Sequence, residues 1–519
     1  MFRRFFILPA LLSLGVTAQA ETIQLNPEDL VRAGPFGWLA TGLELPAPSR
    51  GTQAIGQNAD GSAALLLRRL SHQGVASGLG GVLYDNRDRG HSTLPPELFP
   101  NLTHVTYAPA LREADLDYGL AGELLFPAVT LGNSSTAVSD QGVQRSLSRL
   151  AMTAPMTPAQ NFRAYASNHL YVYPEHRDHD AEDLFPANWP YSVTSQGSSG
   201  SDQAFLRALL MTLAAFRPDT RARLEDEGLI APTLQMILRR TQNGSYTAEA
   251  YRTGAAHPTV FDAQNLSPGR MIGLAASIAP EDIPPMVRLN VVSEDFRTTA
   301  GLADLSERLF DTPSAIARIW RGPEYERSIA LSVANTRDPN GRDLEFHWVL
   351  LRGDSNKVSI IPTEDGLSAE ITLNWHDPFP IPSATREISR LSSRVDIGVI
   401  AWNGAQFSAP ALLSISFPAH HQRVYTPGPE GQMRLSSVDY DAQARNAAYD
   451  PMLHWSAPWW DEMRYDENNN LAGWLRETTD NTKSLEMKTK DETVDGMSVR
   501  YGVQETPAGP RLVMSSEGE

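Results

Sequence analysis

The chain has 519 residues, a formal net charge of −17 at pH 7 and no cysteine. A charge this negative argues against nucleic acid as a partner, because phosphate binding requires clustered Lys and Arg. The lack of cysteine excludes thiol nucleophiles, thiolate metal sites and disulfide chemistry, so catalysis must use Ser, Thr, His, Tyr, Lys or carboxylates. A chain of this length can bury two or more hydrophobic cores without disulfides.

The first twenty residues have the order of a cleavable secretory signal peptide. Arg3 and Arg4 precede an apolar run over residues 5–16, and the small residues of 18–20 are those that a signal peptidase recognises. The alternative, a membrane anchor, needs about 20 apolar residues, and this run is shorter. We therefore expect cleavage near Ala20, a periplasmic or secreted mature protein, and no membrane insertion.

Between residues 21 and 321 short apolar runs alternate with helical patterns, which indicates an α/β domain. Several runs end in a polar or glycine-containing cluster, as strands of an open, mostly parallel sheet do where they meet their loops. The predicted strands are Gly81–Tyr84, His104–Tyr107, Ala128–Leu131, His169–Tyr173, Tyr191–Thr194 and the proline-led Asp282–Val292.

The clearest helix follows the strand that ends at residue 194. Apolar residues over 205–213 recur at helical spacing, and Ser201 or Asp202 can cap the helix start. Further helices are predicted for Thr233–Arg240 and Leu302–Ile319.

After residue 321 the pattern changes to short alternating strands separated by turn residues, which favours an all-β sandwich of two sheets. The predicted strands are Ser328–Val333, Leu344–Leu350, Val358–Ile361, Ala369–Leu373, Val395–Ile400 and Leu412–Phe417. The predicted organisation is a signal peptide (1–20), an α/β domain with the candidate site (21–321), a sandwich (322–418), a β-rich extension (419–476) and a polar, weakly ordered tail (477–519).

One segment of the predicted sandwich carries a family signature. The run from Asn335 to Trp348 contains Asp338-Pro-Asn-Gly, then Leu344 and Phe346 before the tryptophan. This run resembles the Asp-Pro-x-Gly-x-x-Leu-x-Tyr-x-Trp signature of PKD-type and related immunoglobulin-like domains of exported bacterial proteins. The resemblance covers about residues 322–418. It implies an immunoglobulin-like sandwich in which the Asp-Pro-Asn-Gly stretch is a turn and the tryptophan fills the core, with a spacer or binding role.

Three polar clusters directly follow predicted strands of the α/β domain, and ligands of open α/β sheets bind beyond the carboxyl ends of the strands. The first cluster contains Asp85, Arg87, Asp88, Arg89 and His91. The carboxylates could bind calcium and His91 could act as a base. Alternatively, the two arginines pair with the two aspartates in a structural loop.

The second cluster is Glu175-His176-Arg-Asp178-His179-Asp180. Glu175, His176, His179 and Asp180 can supply ligands for a divalent ion, zinc or calcium. The same imidazoles could instead provide a general base oriented by Asp178. A solvated charged loop is the third interpretation, because the spacing matches no metal motif.

The third cluster, residues 195–202, connects a strand to the clearest helix. Its glycines allow a sharp turn that exposes N–H groups, and the helix start favours an anion. Such a turn can also present Ser198 or Ser199 as a nucleophile, although a tight capped connection explains the same residues. The predicted ligand-binding residues are Gly197, Gly200, Ser201, Asp202, Asn133, Arg87 and His91.

Together these patterns favour an exported hydrolase acting on an extracellular or cell-envelope polymer or ester. Ser198 or Ser199 would be the nucleophile, a histidine of the second cluster the base, and Asp178, Asp180 or Asp85 the orienting carboxylate. The expected partner is a small-molecule or polymer substrate, with or without a divalent metal. The alternative is a non-catalytic cell-envelope or carbohydrate-binding protein with an immunoglobulin-like accessory domain.

Overall fold

The computed structural model describes residues 20–45, 54–140, 143–381, 390–440, 456–478, 484–506 and 509–516. The predicted signal peptide lies outside these residues, apart from Ala20. In the described ranges, no helix has the length and apolarity needed to cross a membrane.

The N-terminal domain is an α/β domain built on a six-stranded sheet in which every neighbouring pair is parallel. The strands are β1 (Thr22–Leu25), β2 (Leu83–Asn86), β3 (Thr103–Tyr107), β4 (Thr130–Asn133), β5 (His169–Pro174) and β6 (Ser192–Ser195). Their spatial order is β1-β3-β2-β4-β5-β6. The five strands predicted before residue 195 are confirmed to within two residues. Their largely buried side chains are typical of parallel strands that are covered on both faces.

Helices cover the sheet. They are α1 (Ser62–His72), α2 (Pro109–Glu113), α3 (Leu147–Thr153), α4 (Thr157–Ala166), α5 (Asp202–Ala215), α6 (Pro218–Asp226), α7 (Ile230–Thr241), α8 (Ala248–Tyr251) and α9 (Pro268–Ser277). Helix α5 packs between the sheet and helices α1 and α9, so Phe205, Leu206 and Leu209 are fully or almost fully buried. The predictions of α5 and α7 are confirmed.

The second domain is an all-β sandwich. Its strands are β7 (Asn290–Glu294), β8 (Arg308–Thr312), β9 (Ala315–Ile319), β10 (Glu326–Ser332), β11 (Glu345–Arg352), β12 (Val358–Pro362), β13 (Ser368–Asn374), β14 (Arg394–Trp402) and β15 (Ala411–Ser416). One sheet has the order β7-β10-β13-β12 and the other β8-β9-β15-β14-β11. Apolar residues of both sheets share one core, in which Trp320 is fully buried. All six predicted sandwich strands are confirmed.

Two predictions about the start of this domain are wrong. Within residues 302–319, predicted as one helix, only Leu302–Asp304 form a 3-10 turn, and most of the remainder forms strands β8 and β9, with Pro313 in the turn between them. Proline has no N–H and breaks a helix at this point, and β9 gains partners on both sides within its sheet. Because β7, β8 and β9 belong to the two sheets of the sandwich, the sandwich begins near Asn290 and not at residue 322.

The segment with the family signature contains the expected turn. The carboxylate of Asp338 accepts the backbone N–H of Asn340 at 2.8 Å, and Gly341 has a φ of 70°, which favours glycine. Trp348 does not fill the core as the resemblance implies. It is partly buried at the margin of the core, where its Nε1 donates to the carbonyl of Gly366 at 3.0 Å.

An antiparallel sheet follows the sandwich. Its strands are β16 (Gln422–Pro427), β17 (Met433–Asp439), β18 (Trp459–Tyr465), β19 (Leu471–Thr478), β20 (Ser484–Thr489) and β21 (Glu492–Thr493). Strands β22 (Val499–Thr506) and β23 (Gly509–Ser516) then form a hairpin. The prediction of a weakly ordered tail after residue 476 is wrong for β20, β22 and β23. Met487 and Leu512 are buried there, so a few apolar residues at strand spacing form a core face within a polar segment.

Smaller sheets complete the fold. Leu30–Arg32, Trp38–Ala40 and Leu124–Leu125 form one, Ala137–Asp140 and Val143–Ser146 form another, and Glu182–Asp183, Phe379–Ile381 and Arg390–Ser392 form a third. The third sheet crosses the junction between the two large domains. Beside it, the fully buried carboxylate of Asp183 accepts a hydrogen bond from Arg394 at 2.9 Å and pairs with Arg352.

Candidate functional site at the carboxyl edge of the sheet

The parallel sheet has a topological switch point between β2 and β4. The chain leaves β2 toward β3 on one side and leaves β4 toward β5 on the other, so the loops that follow β2 and β4 diverge. Ligands of open α/β sheets bind in the crevice at such a point. The three predicted clusters follow β2, β5 and β6, so all of them share this carboxyl edge.

Asp85, near the end of β2, is fully buried. Its two carboxylate oxygens accept hydrogen bonds from the hydroxyls of Tyr107 and Tyr171, each at 2.7 Å, and the guanidinium of Arg87 lies 3.8 Å away. Burial raises the pKa of Asp85, although Arg87 and the two tyrosines act against that rise. Asp85 and Arg87 therefore lie below the surface of the carboxyl edge and do not face solvent. Their hydrogen bonds and ion pair hold the surrounding residues in place.

Asp88 connects the loop after β2 to the segment after β4. Its carboxylate accepts hydrogen bonds from Thr136 Oγ1 at 2.9 Å and from the hydroxyl of Ser135. Arg89 turns away from Asp88 toward other carboxylates. The imidazole of His91 lies 4.0 Å from Asp88, and its side chain is 77% exposed. His91 is therefore the imidazole of this edge that is open to a ligand.

Asn133, the last residue of β4, joins three parts of the edge. Its Oδ1 accepts from the hydroxyl of Tyr84 at 2.9 Å, and its Nδ2 donates to the carboxylate of Asp202 and, at 3.2 Å, to the carbonyl of Ser92. An amide side chain can do this because it offers donors and an acceptor together. Through Asn133 the loop after β2, strand β4 and the start of α5 are held together at the switch point.

Glu175, which follows β5, holds the loop after β6. Its Oε1 accepts from Gln196 Nε2 at 2.9 Å and from the N–H of Gly197 at 3.0 Å, and its Oε2 accepts the N–H of His179 at 3.1 Å. Burial raises the pKa of Glu175 to about 7, although the N–H groups of Gly197 and His179 lower it. A carboxyl group with this pKa can take up and release a proton near neutral pH.

The loop between β6 and α5 is anchored at both ends by carboxylates. Glu175 accepts the N–H of Gly197, and Asp202 accepts the N–H of Gly200 at 3.2 Å. Gly197 and Gly200 have φ angles of 117° and 95°, in the region that favours glycine. The turn predicted for these residues is therefore formed, and its hydrogen bonds to the two buried carboxylates fix its position.

The tip of this loop, Ser198 and Ser199, is exposed. Within the part of the chain that the structure describes, the backbone N–H groups of these two serines donate no hydrogen bond. Ser201 is turned inward, with its hydroxyl 2.8 Å from that of Ser195. Adjacent free N–H groups before a helix are suited to an anion or to an oxygen that becomes negative during a reaction.

His176 and His179 belong to one loop but have different partners. His176 directs Nε2 to the carbonyl of Ser135, so it reaches the switch point. His179 is buried, with Nδ1 3.5 Å from the carboxylate of Asp183, and burial lowers the pKa of His179. His176 therefore belongs to the candidate site, and His179 belongs to the domain junction.

The serine–histidine–carboxylate set expected from the sequence is not assembled. Among the described residues, no hydrogen bond joins Ser198 or Ser199 to an imidazole. Asp178 is also engaged elsewhere, because its carboxylate accepts the N–H of Ser146 at 3.0 Å and lies 3.4 Å from Arg149 Nε. The serines are exposed at the loop tip, whereas Asp178 lies below the edge.

The four residues predicted as metal ligands are not brought together. In the described ranges, no three His, Asp or Glu side chains form a group that could hold a metal ion. Asp180 is exposed, whereas Glu175 and His179 are buried with different partners. The φ angles of His176 and Arg177, 48° and 75°, turn the chain so that neighbouring side chains diverge.

The sequence did not predict the residues whose hydrogen bonds influence the pKa and the accessibility of the acidic groups. Tyr107 and Tyr171 enclose Asp85, and Gln196 covers Glu175. A signal was present for the tyrosines, since a tyrosine near the end of a buried strand needs a hydrogen-bond partner for its hydroxyl. Nothing in the local sequence marks Gln196.

No protein-family model and no curated protein matches the chain. Among solved structures, the chain is similar to a nucleoside hydrolase-related hypothetical protein from Saccharophagus degradans that is associated with carbohydrate metabolism. The identity is 9%, the match covers 56% of this chain and 71% of that chain, and the TM-score is 0.17. At this TM-score the likeness carries no argument about the function of the chain.

Proposed function

We propose that the protein is an exported hydrolase whose α/β domain acts on a hydroxyl-rich polymer or an ester outside the cytoplasm. The observation that carries the proposal is Glu175, a carboxyl group with a pKa of about 7 that is bonded to the loop with the exposed serine tip. Ester hydrolysis uses a group that exchanges protons near neutral pH and N–H donors for the negative charge that develops on the carbonyl oxygen.

Gln196 controls access to Glu175 in this proposal. Its amide is the side-chain donor to Glu175 Oε1, and Gln196 is half-buried at the surface. Rotation of Gln196 toward solvent would open Oε1 to water or substrate. The N–H groups of Gly197 and His179 would keep the carboxyl group in place during that movement.

The reaction then uses the carboxyl group and the loop tip together. Ionised Glu175 takes a proton from water as the water oxygen attacks the carbonyl carbon of an ester, and returns the proton to the leaving alcohol oxygen as the ester C–O bond breaks. The N–H groups of Ser198 and Ser199 stabilise the negative charge on the carbonyl oxygen. This scheme replaces a serine nucleophile with water, because neither serine has an imidazole partner among the described residues.

The polar rim of the switch point supports a hydroxyl-rich substrate. Asn86, Ser92 and His176 are partly exposed and His91 is exposed, so amide, hydroxyl and imidazole groups surround the crevice. Such groups can donate to and accept from sugar hydroxyls. No nucleic acid is proposed as a partner, since the chain carries a net charge of −17.

Export is part of the proposal and is supported by the leader pattern of residues 1–20. The resemblance of residues 322–418 to PKD-type domains supports a spacer or binding role for the sandwich, and the turn at Asp338 fits that family. Mass spectrometry of the protein from a periplasmic or medium fraction tests export, with a mature N-terminus near Glu21 as the expected result.

A second function is favoured by the hydrogen bonds of the buried carboxylates. Asp85, Asp178 and Asp202 are all occupied by protein donors, as a rigid binding surface requires. The protein would then be a non-catalytic cell-envelope or carbohydrate-binding protein that uses the same crevice. Binding of a soluble polysaccharide, measured by calorimetric titration, without turnover of that polysaccharide would select this function.

The test is turnover of soluble polysaccharides, nitrophenyl glycosides and nitrophenyl esters by three proteins. They are the unmodified protein, Glu175→Gln, and the matched control Glu182→Gln, whose exposed side chain lies in the same segment between β5 and β6. We expect activity in the first and third proteins and a loss of about 100-fold or more in Glu175→Gln. Equal activity of the two variants, both folded by circular dichroism, would remove Glu175 from the mechanism.

A further inference from the structure

A cavity lies between the sandwich and the C-terminal sheet, and it shares no lining residue with the candidate site at the carboxyl edge. Its volume is about 400 Å³, within the range of about 300–1,000 Å³ that small-molecule sites occupy. The wall is mainly apolar. Leu435 and Val438 come from β17, Met463 from β18, and Leu302 and Leu305 from the segment before β8.

The charged side chains of the cavity are all cationic. Arg321, Arg423, Lys488 and Lys490 contribute to the lining, and no carboxylate does so among the described residues. Two of the four lysines of the chain therefore lie at this cavity, in a protein with a net charge of −17. Such a local reversal of charge attracts an anion.

The cations have carboxylate neighbours outside the cavity. Lys490 pairs with Asp304, and Lys488 lies 4.0 Å from Glu492. Lys488 is 63% exposed and so can reorient toward a ligand. These pairs leave the lysines at the rim, where an anionic group can meet them without deep burial of the charge.

Trp474 adds an aromatic ring to the apolar wall. The residue is 9% exposed, so the ring is held in place by the surrounding protein. An aromatic ring offers a large apolar surface to the body of a ligand.

We propose that this cavity binds a small amphiphile with an apolar body and one anionic group, such as a medium-chain carboxylate. The apolar body replaces water against Leu435, Val438 and Met463, and the anionic group meets Lys488 and Lys490 at the rim. A highly charged ligand such as a nucleotide does not fit, because most of the wall offers it no polar partner. The site is separate from the proposed hydrolase reaction.

The test is calorimetric titration of the purified protein with decanoate and with decan-1-ol, which has the same chain and no charge. We expect one saturable decanoate site and about tenfold weaker binding of the alcohol. Val438→Trp fills the cavity and should abolish binding. Val424→Trp is the matched control, because Val424 lies in the same sheet, is 46% exposed and does not line the cavity.

Because Val438 is almost fully buried, a tryptophan at this position can prevent folding. A second variant therefore tests the proposal without changing the core. Lys488→Gln combined with Lys490→Gln should weaken decanoate about tenfold and leave decan-1-ol unchanged. The proposal is overturned by any of three results. These are no saturable binding of decanoate, equal binding by folded Val438→Trp and Val424→Trp, or no change in decanoate affinity in the double lysine variant.

Discussion

Glu175 and Asp202 hold opposite ends of one loop: Glu175 accepts the N–H of Gly197 at 3.0 Å and Asp202 accepts the N–H of Gly200 at 3.2 Å. Both carboxyl groups are buried, and burial raises the pKa of each. The exposed tip between the glycines is therefore positioned by groups whose charge depends on pH. A protonation change at either carboxyl group alters the hydrogen bonds that position the tip.

Asn133→Ala should lower the free energy of unfolding by about 1–3 kcal/mol, because it removes hydrogen bonds from buried partners. Asn133 is fully buried and bonds to Tyr84, Asp202 and the carbonyl of Ser92. Urea unfolding measures the change, and Asn335→Ala is the control because Asn335 is exposed. Equal stability of the two variants would show that Asn133 does not hold the switch point together.

The carboxyl edge could be anticipated from the sequence, but not its switch point. Each polar cluster follows a run with a buried-strand pattern, and the structure confirms those strands. The order β1-β3-β2-β4-β5-β6 depends on pairing between distant segments, which local periodicity does not encode. The meeting of the clusters therefore needed the three-dimensional structure.

The behaviour of individual site residues was also beyond local reasoning. Asp85 looks available in the sequence, but its partners Tyr107 and Tyr171 are 22 and 86 residues away along the chain. His176 and His179 look like a pair, but positive φ angles at His176 and Arg177 direct them apart. Composition and spacing identify which groups are present, whereas burial and long-range contacts decide their chemistry.

Glu175 should make the protein less stable as the pH rises from about 5 to 8. Its pKa is about 7 in the folded protein against 4.5 for an unperturbed glutamate, so the folded state keeps a proton that the unfolded chain has released. This contribution to stability is fully present below pH 4.5 and is lost as the pH rises through 7. The slope has an upper limit of about 1.4 kcal/mol per pH unit for one proton.

Urea unfolding at several pH values between 5 and 8 measures this effect. Glu175→Gln cannot ionise and should show a flatter profile than the unmodified protein. Glu182→Gln should keep the original profile, because Glu182 is exposed. Parallel profiles for all three proteins would assign the pH dependence to other groups.

Asp183→Asn should destabilise the protein by about 3 kcal/mol, because it leaves the guanidinium groups of Arg394 and Arg352 with one carboxylate, that of Asp396, in place of two. Although burial alone would raise the pKa of Asp183, Arg394 and Arg352 hold that pKa well below its ordinary value. The stabilisation that ionised Asp183 provides is therefore fully present above the ordinary pKa of an aspartate. It is lost only as the pH falls through the lower pKa that Asp183 has in the folded protein.

The control for this variant is Asp180→Asn, whose side chain is exposed in the same loop. Thermal unfolding at pH 7 should separate the two variants by several degrees. Because Asp183 joins the α/β domain to the sandwich, its variant should also be cut faster at the junction by a protease. Equal melting temperatures would mean that Asp183 does not stabilise the junction.

Tyr171→Phe should destabilise the protein by about 1.5–3 kcal/mol, the range for a hydrogen bond to a charged group. The substitution removes the donor to Asp85 Oδ2 and leaves that oxygen 3.8 Å from Arg87. Tyr246→Phe is the matched control because Tyr246 is 54% exposed. If Asp85 serves only to organise the edge, hydrolysis by Tyr171→Phe at low temperature should stay within a few-fold of the unmodified protein. A loss of activity comparable to that of Glu175→Gln, with the fold retained, would instead place Asp85 in the reaction.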